Sequence, residues 1–240
     1  MQKQVIGTFF PEATFLLSVD TPEQMPPDRG AEVAFAGRSN AGKSSALNAI
    51  SGRRMLARTS KTPGRTRLIN FFAVDPSRRL ADLPGYGYAK VPVSVRERWQ
   101  ESMAVFLGHR RCLRGVVMVA DIRQSLGPLD WQMLTWCLAA RMPVHLLLSK
   151  SDKLSHGAAV RALVAARRML EDAGMAVSVQ LFSASSREGV DEARALVLDW
   201  LGVDGRENKK NPGNKGRESG AYKQSRKNLR DFPRSGRRSG

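Results

Sequence analysis

Apolar residues recur along this chain in two alternating rhythms: short unbroken runs, and longer stretches spaced three or four apart. The run Glu32-Val33-Ala34-Phe35-Ala36 has the length and apolar character of a buried strand. Ser45-Ala46-Leu47-Asn48-Ala49-Ile50 reads as the opening of a helix that should stop at Ser51-Gly52, glycine being the usual terminator. Leu68-Ile69-Asn70-Phe71-Phe72-Ala73-Val74 and Arg79-Leu80-Ala81-Asp82-Leu83 are strand-like and joined by the turn Asp75-Pro76-Ser77, which predicts a hairpin. From Val93 to Arg110 the apolar residues Val95, Trp99, Met103, Phe106 and Leu107 follow at spacings of 4, 4, 3 and 1, a helical period. Gly115-Val116-Val117-Met118-Val119-Ala120 is a continuous apolar strand ending in Asp121, followed by a helix from Leu129 to Ala140. Val144-His145-Leu146-Leu147-Leu148 is another buried strand, and Ala158 to Leu170 a helix stopped near Gly174. Val177 to Phe182 is the last strand and Val190 to Leu201 the last helix. Strands alternating with long helices predict an α/β three-layer sandwich. Its sheet is mostly parallel with one antiparallel hairpin strand, helices cover both faces, and ligands sit at the carboxyl ends of the strands.

Composition divides the 240 residues into parts. A hydrophobic fraction of 42% and a charged fraction of 25% suit a globular body with a sizeable core. Residues 1–29 hold Phe9, Phe10, Phe15, Leu16 and Leu17 ahead of the turn-rich Thr21-Pro22-Glu23-Gln24-Met25-Pro26-Pro27, and read as an N-terminal extension packing aromatics on that body. Residues 30–202 form the main domain, and 203–240 a basic tail. From Arg206 onward the tail carries twelve basic against three acidic residues, +9 of the formal +17, with few apolar groups to offset the entropy of ordering. It is expected to be disordered. A charge of this sign points first to nucleic acid and second to an anionic membrane surface. No apolar run reaches the length of a membrane span, and Phe15-Leu16-Leu17 is too short for a secretion signal. Cys112 and Cys137 stand in apolar settings without metal-ligand spacing, as expected for reduced core residues of a cytoplasmic protein. A monomer is expected.

Gly37-Arg38-Ser39-Asn40-Ala41-Gly42-Lys43-Ser44 fits the phosphate-binding pattern G-x-x-x-x-G-K-[ST], with a strand before it and a helix after it. That order turns successive backbone N–H groups and a helix N-terminus toward a polyphosphate, and makes the sandwich a P-loop NTPase. Lys43 would reach the β- and γ-phosphates, and the Ser44 hydroxyl would ligate Mg²⁺. Three further loops fall at the same sheet edge. In Asp82-Leu83-Pro84-Gly85 the aspartate can hold Mg²⁺ through water, while the glycine lets its N–H face a γ-phosphate. In Ser149-Lys150-Ser151-Asp152 the last carboxylate can accept from guanine N1–H and the 2-amino group, selecting GTP over ATP, with the Lys150 stem along the base. In Phe182-Ser183-Ala184 a backbone N–H can reach guanine O6. The basic loop Arg58 to Arg67 offers Thr62 or Thr66 as a Mg²⁺ ligand present only while the γ-phosphate holds it, an order–disorder switch.

The stretches Gly-Arg-Ser-Asn-x-Gly-Lys-Ser-Ser at 37–45, Ser-Lys-Thr-Pro-Gly-Arg-Thr at 60–66, Ile-Asn-Phe-Phe at 69–72 and Asp-Leu-Pro-Gly-Tyr-Gly-Tyr-Ala at 82–89 resemble the EngB-type (YihA/YsxC) ribosome-biogenesis GTP-binding proteins. These belong to the TrmE-Era-EngA-EngB-Septin-like GTPases, and the resemblance covers about residues 5–202. It implies a GTP/GDP-binding domain and Mg²⁺ held by Ser44 and Thr66. It implies nucleotide contacts from Gly64, Arg65, Thr66, Arg67 and Leu68 as well. It further implies association with the large ribosomal subunit and its rRNA during assembly, and a part in cell division and septation. Two departures stand out. Ser149 replaces the usual asparagine of the base-reading motif, so modest affinity is expected, and the tail lies outside the resemblance.

Hydrolysis needs an oriented water and stabilised charge at the β–γ bridge. Tyr86 stands where many GTPases carry a water-orienting glutamine, so slow turnover is expected without a partner. Lys43, Thr66 and Asn40 form the catalytic set. In related GTPases with asparagine at the position of Asn40, a K⁺ ion can bridge the phosphates. Arg65 and Arg67 could donate charge in cis or face RNA. A second class of function is an RNA-binding assembly factor whose nucleotide site is mainly structural; a third, weaker one is an ATP-dependent P-loop enzyme.

Overall fold

The computed structural model describes residues 13–57, 68–87 and 102–203 of the chain. Its strands are β1 Thr14–Val19, β2 Ala31–Gly37, β3 Ile69–Ala73, β4 Arg78–Asp82, β5 Leu113–Asp121, β6 Val144–Ser149 and β7 Val177–Leu181. They form one seven-stranded sheet in the order β1-β3-β4-β2-β5-β6-β7. β2 runs parallel to β4 and β5, and parallel pairing continues through β6 to β7. β3 is the antiparallel strand, joined to β4 as the predicted hairpin and to β1 on its other side. The hairpin turn is fixed by Asp75, whose carboxylate accepts the N–H groups of Ser77 and Arg78 at 2.7 and 2.8 Å. Strand order reverses at β2, which puts the loop after it at the switch point where such sheets bind ligands.

The helices are α1 Lys43–Ser51, α2 (described over 102–109), α3 Pro128–Ala139, α4 His156–Asp172 and α5 Val190–Trp200. Successive strand residues point to opposite faces, and the central strands are buried on both. Val33, Phe35, Val117, Val119 and Leu147 pack with Leu47 and Ile50 of α1 and Val190, Ala193 and Val197 of α5. Ala34, Ala36, Val116, Met118, Leu146 and Leu148 pack with Met103 and Phe106 of α2, Met133 and Cys137 of α3, and Ala159 and Leu170 of α4. This two-sided burial is why those strands read as unbroken apolar runs. Leu47 and Ile50 are wholly buried and fix α1 to the sheet, each contributing about 1.5–3 kcal/mol. On the same face Arg194 of α5 donates from Nε to Ile50 O at 2.7 Å and from Nη2 to Ala49 O at 3.0 Å. The guanidinium thus satisfies the last carbonyls of α1 and complements its negative dipole end.

One strand differs from the sequence expectation. Thr14–Val19, within the stretch read as an extension, is one of the two edge strands of the sheet. Its pairing with β3 shifts register between Phe15 and Leu17. Such a bulge breaks the two-residue alternation, leaving three consecutive apolar residues with no strand signature. Phe15 is 57% exposed and meets Phe72 edge-on, ring centroids 6.1 Å apart. Both cysteines are free and buried, as expected, and burial pushes the Cys112 thiol up to about 11 and the Cys137 thiol to about 12. Among the described residues no helix is long and apolar enough to cross a membrane. Phe9, Phe10, the first part of the predicted helix from Val93, and the tail from residue 204 lie outside the described residues.

Candidate active site

β2 ends at Gly37 and α1 begins at Lys43, so the phosphate-binding pattern spans the turn between them. Gly37 lies against β5 so closely that a Cβ there would sit 2.5 Å from Val119 O. Gly42 has φ 99°, the left-handed region that side chains rarely adopt, and it caps α1 without a side-chain hydrogen bond. The first N–H groups of α1 therefore face outward with the positive end of the helix dipole, the arrangement that receives a phosphate. Asn40 is also left-handed, at φ 66°; its side chain is exposed, with no hydrogen-bond partner among the described residues.

Lys43 Nζ is ion-paired with Asp82, the last residue of β4. The segment that follows is laced to the phosphate loop. Leu83 N–H donates to Phe35 O at 2.9 Å, Ser39 N–H to Tyr86 O at 2.8 Å, and the Ser39 hydroxyl to Gly85 O at 3.4 Å. Gly85 is thereby held against Ser39 of the phosphate loop. The Ser44 hydroxyl, in the first turn of α1, has no partner among the described residues. Those residues contain no cluster of three or more His, Cys, Asp or Glu side chains able to hold a metal alone. A free hydroxyl next in sequence to the lysine that pairs with the buried Asp82 carboxylate fits Mg²⁺, which usually takes one or two protein ligands and completes its shell with phosphates and water.

The stretch expected to read the base begins at the end of β6. Ser149, standing where asparagine is usual, donates its hydroxyl to Ala41 O and so ties this loop to the phosphate loop. Lys150, left-handed at φ 62°, reaches back to donate from Nζ to Asn40 O at 2.7 Å and to Asp121 Oδ2 at 2.9 Å. Asp152 accepts from the Ser183 hydroxyl at 2.7 Å and pairs with Lys153 at 2.9 Å. The Ser183 bond first, then Lys153, lower the Asp152 carboxyl to about 2, so it is an anionic acceptor at neutral pH. The Ser151 hydroxyl meets Glu188 at 2.5 Å. Of the three residues after β7, Phe182 spends its N–H on Leu148 O at 3.0 Å and Ser183 on Glu188 O at 2.9 Å. Ala184 N–H has no acceptor among the described residues.

Tyr86 turns away from all of this. It is buried, and its hydroxyl donates to Asp130 Oδ1 at 2.9 Å, while Asp130 Oδ2 accepts Gly127 N–H at 2.8 Å at the start of α3. Burial, then Asp130, raises the Tyr86 phenol well above its ordinary value. The Arg38 side chain likewise points toward α3, reaching Gln124 Oε1 at 3.4 Å, so only its backbone belongs to the phosphate loop.

The structure brings together Gly37 to Ser44, Asp82 to Gly85, Ser149 to Asp152 and Phe182 to Ala184 at one sheet edge. Leu68 is half-buried just before β3, whereas Thr62, Gly64, Arg65, Thr66 and Arg67 lie outside the described residues. Sequence reasoning passed over Asp121 and Arg123, though one signal was available: an acidic residue closing a wholly apolar strand at the edge where the ligand loops gather. It also missed Asp130 and Glu188, whose roles depend on contacts 44 and 37 residues away in sequence. Among the histidines, His145 is buried between Ser178 and Gln180, and no catalytic set forms with the others.

Residues 32–150 match the family described as 50S ribosome-binding GTPase. A probable GTP-binding protein EngB of Nitrosococcus oceani is 52% identical over 200 residues, covering 83% of this chain and all of the relative. One from Coxiella burnetii is 51% identical over 192 residues, 80% of this chain and 94% of that one. Among solved structures, the fold is shared with a probable GTP-binding protein EngB at TM-score 0.58 and 20% identity, covering 72% of this chain and all of the other. It is also shared with Era in complex with MgGDPNP and a stretch of 16S ribosomal RNA, at TM-score 0.55 and 18% identity, covering 79% and 59% of the two chains.

Proposed function

This chain belongs to the EngB family of GTP-binding proteins, and on that premise we propose that it is a GTP-driven switch in assembly of the large ribosomal subunit, needed for normal cell division and septation. The chain is a GTPase; the assembly role, the nucleotide contacts and the cofactors are our reading. The observation that carries it is the convergence of four loops on one sheet edge, with Lys43 and the α1 N-terminus at one end and Asp152 with Ala184 N–H at the other. That spacing suits a guanine nucleotide whose phosphates lie on residues 37–44 and whose base lies between residues 149–152 and 182–184. The family match to ribosome-binding GTPases and the formal charge of +17 favour a partner rich in RNA phosphate.

Within the site, Lys43 would exchange Asp82 for the β- and γ-phosphates. Ser44, with Thr66 from the loop beyond the described residues and Asp82 through water, would hold Mg²⁺, which supplies charge neutralisation at the β–γ bridge. Asn40, with a free side chain at the phosphate loop, would help hold K⁺ there. Because the Tyr86 hydroxyl is committed to Asp130, it does not serve to orient the attacking water. Hydrolysis by the chain alone is therefore slow, and a partner completes the site.

The test is affinity for purified large subunits in the presence of GDP, GTP and a non-hydrolysable GTP analogue. A switch binds more tightly with GTP or the analogue than with GDP. Equal affinities in all three states would refute the switch and leave an RNA-binding factor with a structural nucleotide.

A further inference from the structure

β5 lies between β2 and β6, so its last residue is placed to join the loops of both neighbours. That residue is Asp121, with its side chain 6% exposed. Its Oδ2 accepts from Lys150 Nζ at 2.9 Å, and the same ammonium donates to Asn40 O at 2.7 Å. From the other side Arg123 forks onto the carboxylate, Nε on Oδ1 at 2.9 Å and Nη2 on Oδ2 at 2.7 Å, while Arg123 N–H meets Oδ1 at 3.1 Å. A charged chain thus runs from Arg123 through Asp121 and Lys150 to the backbone of the phosphate loop, crossing three loops.

We propose that Asp121, with Arg123 behind it, is a positioning residue for guanine-nucleotide binding: it holds the Lys150 side chain and, through it, the Asn40 carbonyl in the receiving geometry. This rests on the guanine-nucleotide reading of residues 149–152. A lysine stem is flexible and loses considerable rotamer freedom when fixed, so its tip needs more than one acceptor. Asn40 O supplies one and Asp121 the other. The arginine fork fixes the plane of the carboxylate, which leaves Oδ2 aimed at Lys150. With Arg123 48% exposed, water screens its side of the pair and limits the stability the pair contributes by itself. Orientation is what this pair supplies. Arg123, and then Lys150, hold the Asp121 carboxyl well below the usual range against the effect of burial, so the anchor stays charged.

The test uses the full-length protein and a fluorescent GDP analogue. Asp121→Asn keeps the shape and removes the charge; dissociation should accelerate about tenfold, as for loss of one charge-assisted hydrogen bond. The KM for GTP should rise by a similar factor without a matching change in kcat, and guanine should remain preferred over adenine because Asp152 is intact. In a Lys150→Met background, Asp121→Asn should alter dissociation by less than about twofold, since the two act in series. Arg123→Ala, a change at an exposed side chain, should accelerate dissociation severalfold and serves if Asp121→Asn does not fold. Unchanged dissociation in both variants, or the full tenfold effect of Asp121→Asn persisting without Lys150, would overturn the positioning role. If Lys150→Met and Asp152→Asn both leave GDP binding and base preference untouched, the guanine reading itself fails, and the proposal with it.

Discussion

Removing one oxygen from Tyr86 separates its structural part from any part in hydrolysis. Tyr86→Phe keeps the ring in the core cluster that also holds Met103, Phe106 and Met133 but deletes the hydroxyl that meets Asp130 at 2.9 Å. Asp130 is 1% exposed, and its other oxygen is already occupied by Gly127 N–H. The deletion leaves a buried carboxylate oxygen without its donor among the described residues. A hydrogen bond to a charged group contributes about 1.5–3 kcal/mol. For a unit of this size that corresponds to a fall in Tm of roughly 3–12 °C. Because the hydroxyl faces α3 rather than the phosphate loop, GTP turnover measured well below the transition should change by less than about twofold, a barrier difference under about 0.5 kcal/mol. Asp130→Asn in the Tyr86→Phe background should recover part of the lost stability, since an amide is cheaper to leave half-satisfied than a carboxylate. Thermal unfolding by circular dichroism and single-turnover hydrolysis give the two readings. An unchanged Tm with turnover reduced tenfold or more would refute this account and return Tyr86 to the chemistry.

Three shorter predictions accompany it. Burial depresses the His145 pKa below its ordinary 6.5, so the unfolded chain takes up the proton first and stability falls as pH drops below about 6.5. His145→Gln should remove that fall, read as Tm at pH 7.5 and 5.5; an identical fall in the variant would place its origin elsewhere. Replacing NaCl by KCl should raise GTP hydrolysis in the wild type and not in Asn40→Ala, and equal wild-type rates in the two salts would exclude a K⁺ role. Gly37→Ala sets a methyl 2.5 Å from Val119 O, across the central β2–β5 pair, and should cost at least about 2 kcal/mol in urea unfolding; a cost under 0.5 kcal/mol would mean the strands part more easily than their packing implies.

The layout of the sheet was readable because each central strand is buried on both faces, which writes an unbroken apolar run into the sequence. β1 escaped because its bulge at Phe15 to Leu17 destroys alternation and its outer aromatic looks like an ordinary surface group. The phosphate loop was legible from spacing alone: its glycines answer to local backbone demands, a left-handed φ at Gly42 and a close neighbour at Gly37. Contacts between loops were not legible. Ser149 looked like a weakened base reader, yet its hydroxyl ties the base-reading turn to Ala41 O. Nothing in the order of residues says that Lys150 and Asp121 share a hydrogen bond, because that depends on β5 and β6 ending at the same level. Tyr86 differs from a water-orienting glutamine by its chemistry, which the sequence displays, but only the fold gives its hydroxyl a destination.

Arg194 has a mechanical consequence. By holding the carbonyls of Ala49 and Ile50, it couples the far end of α1 to α5, and α1 begins at the lysine of the phosphate loop. A displacement of the final helix along its axis would load the end of α1 directly through these bonds of 2.7 and 3.0 Å, besides acting through the sheet that both helices cover. The helix that opens with Lys43 is thus moored at its far end to the last helix of the fold.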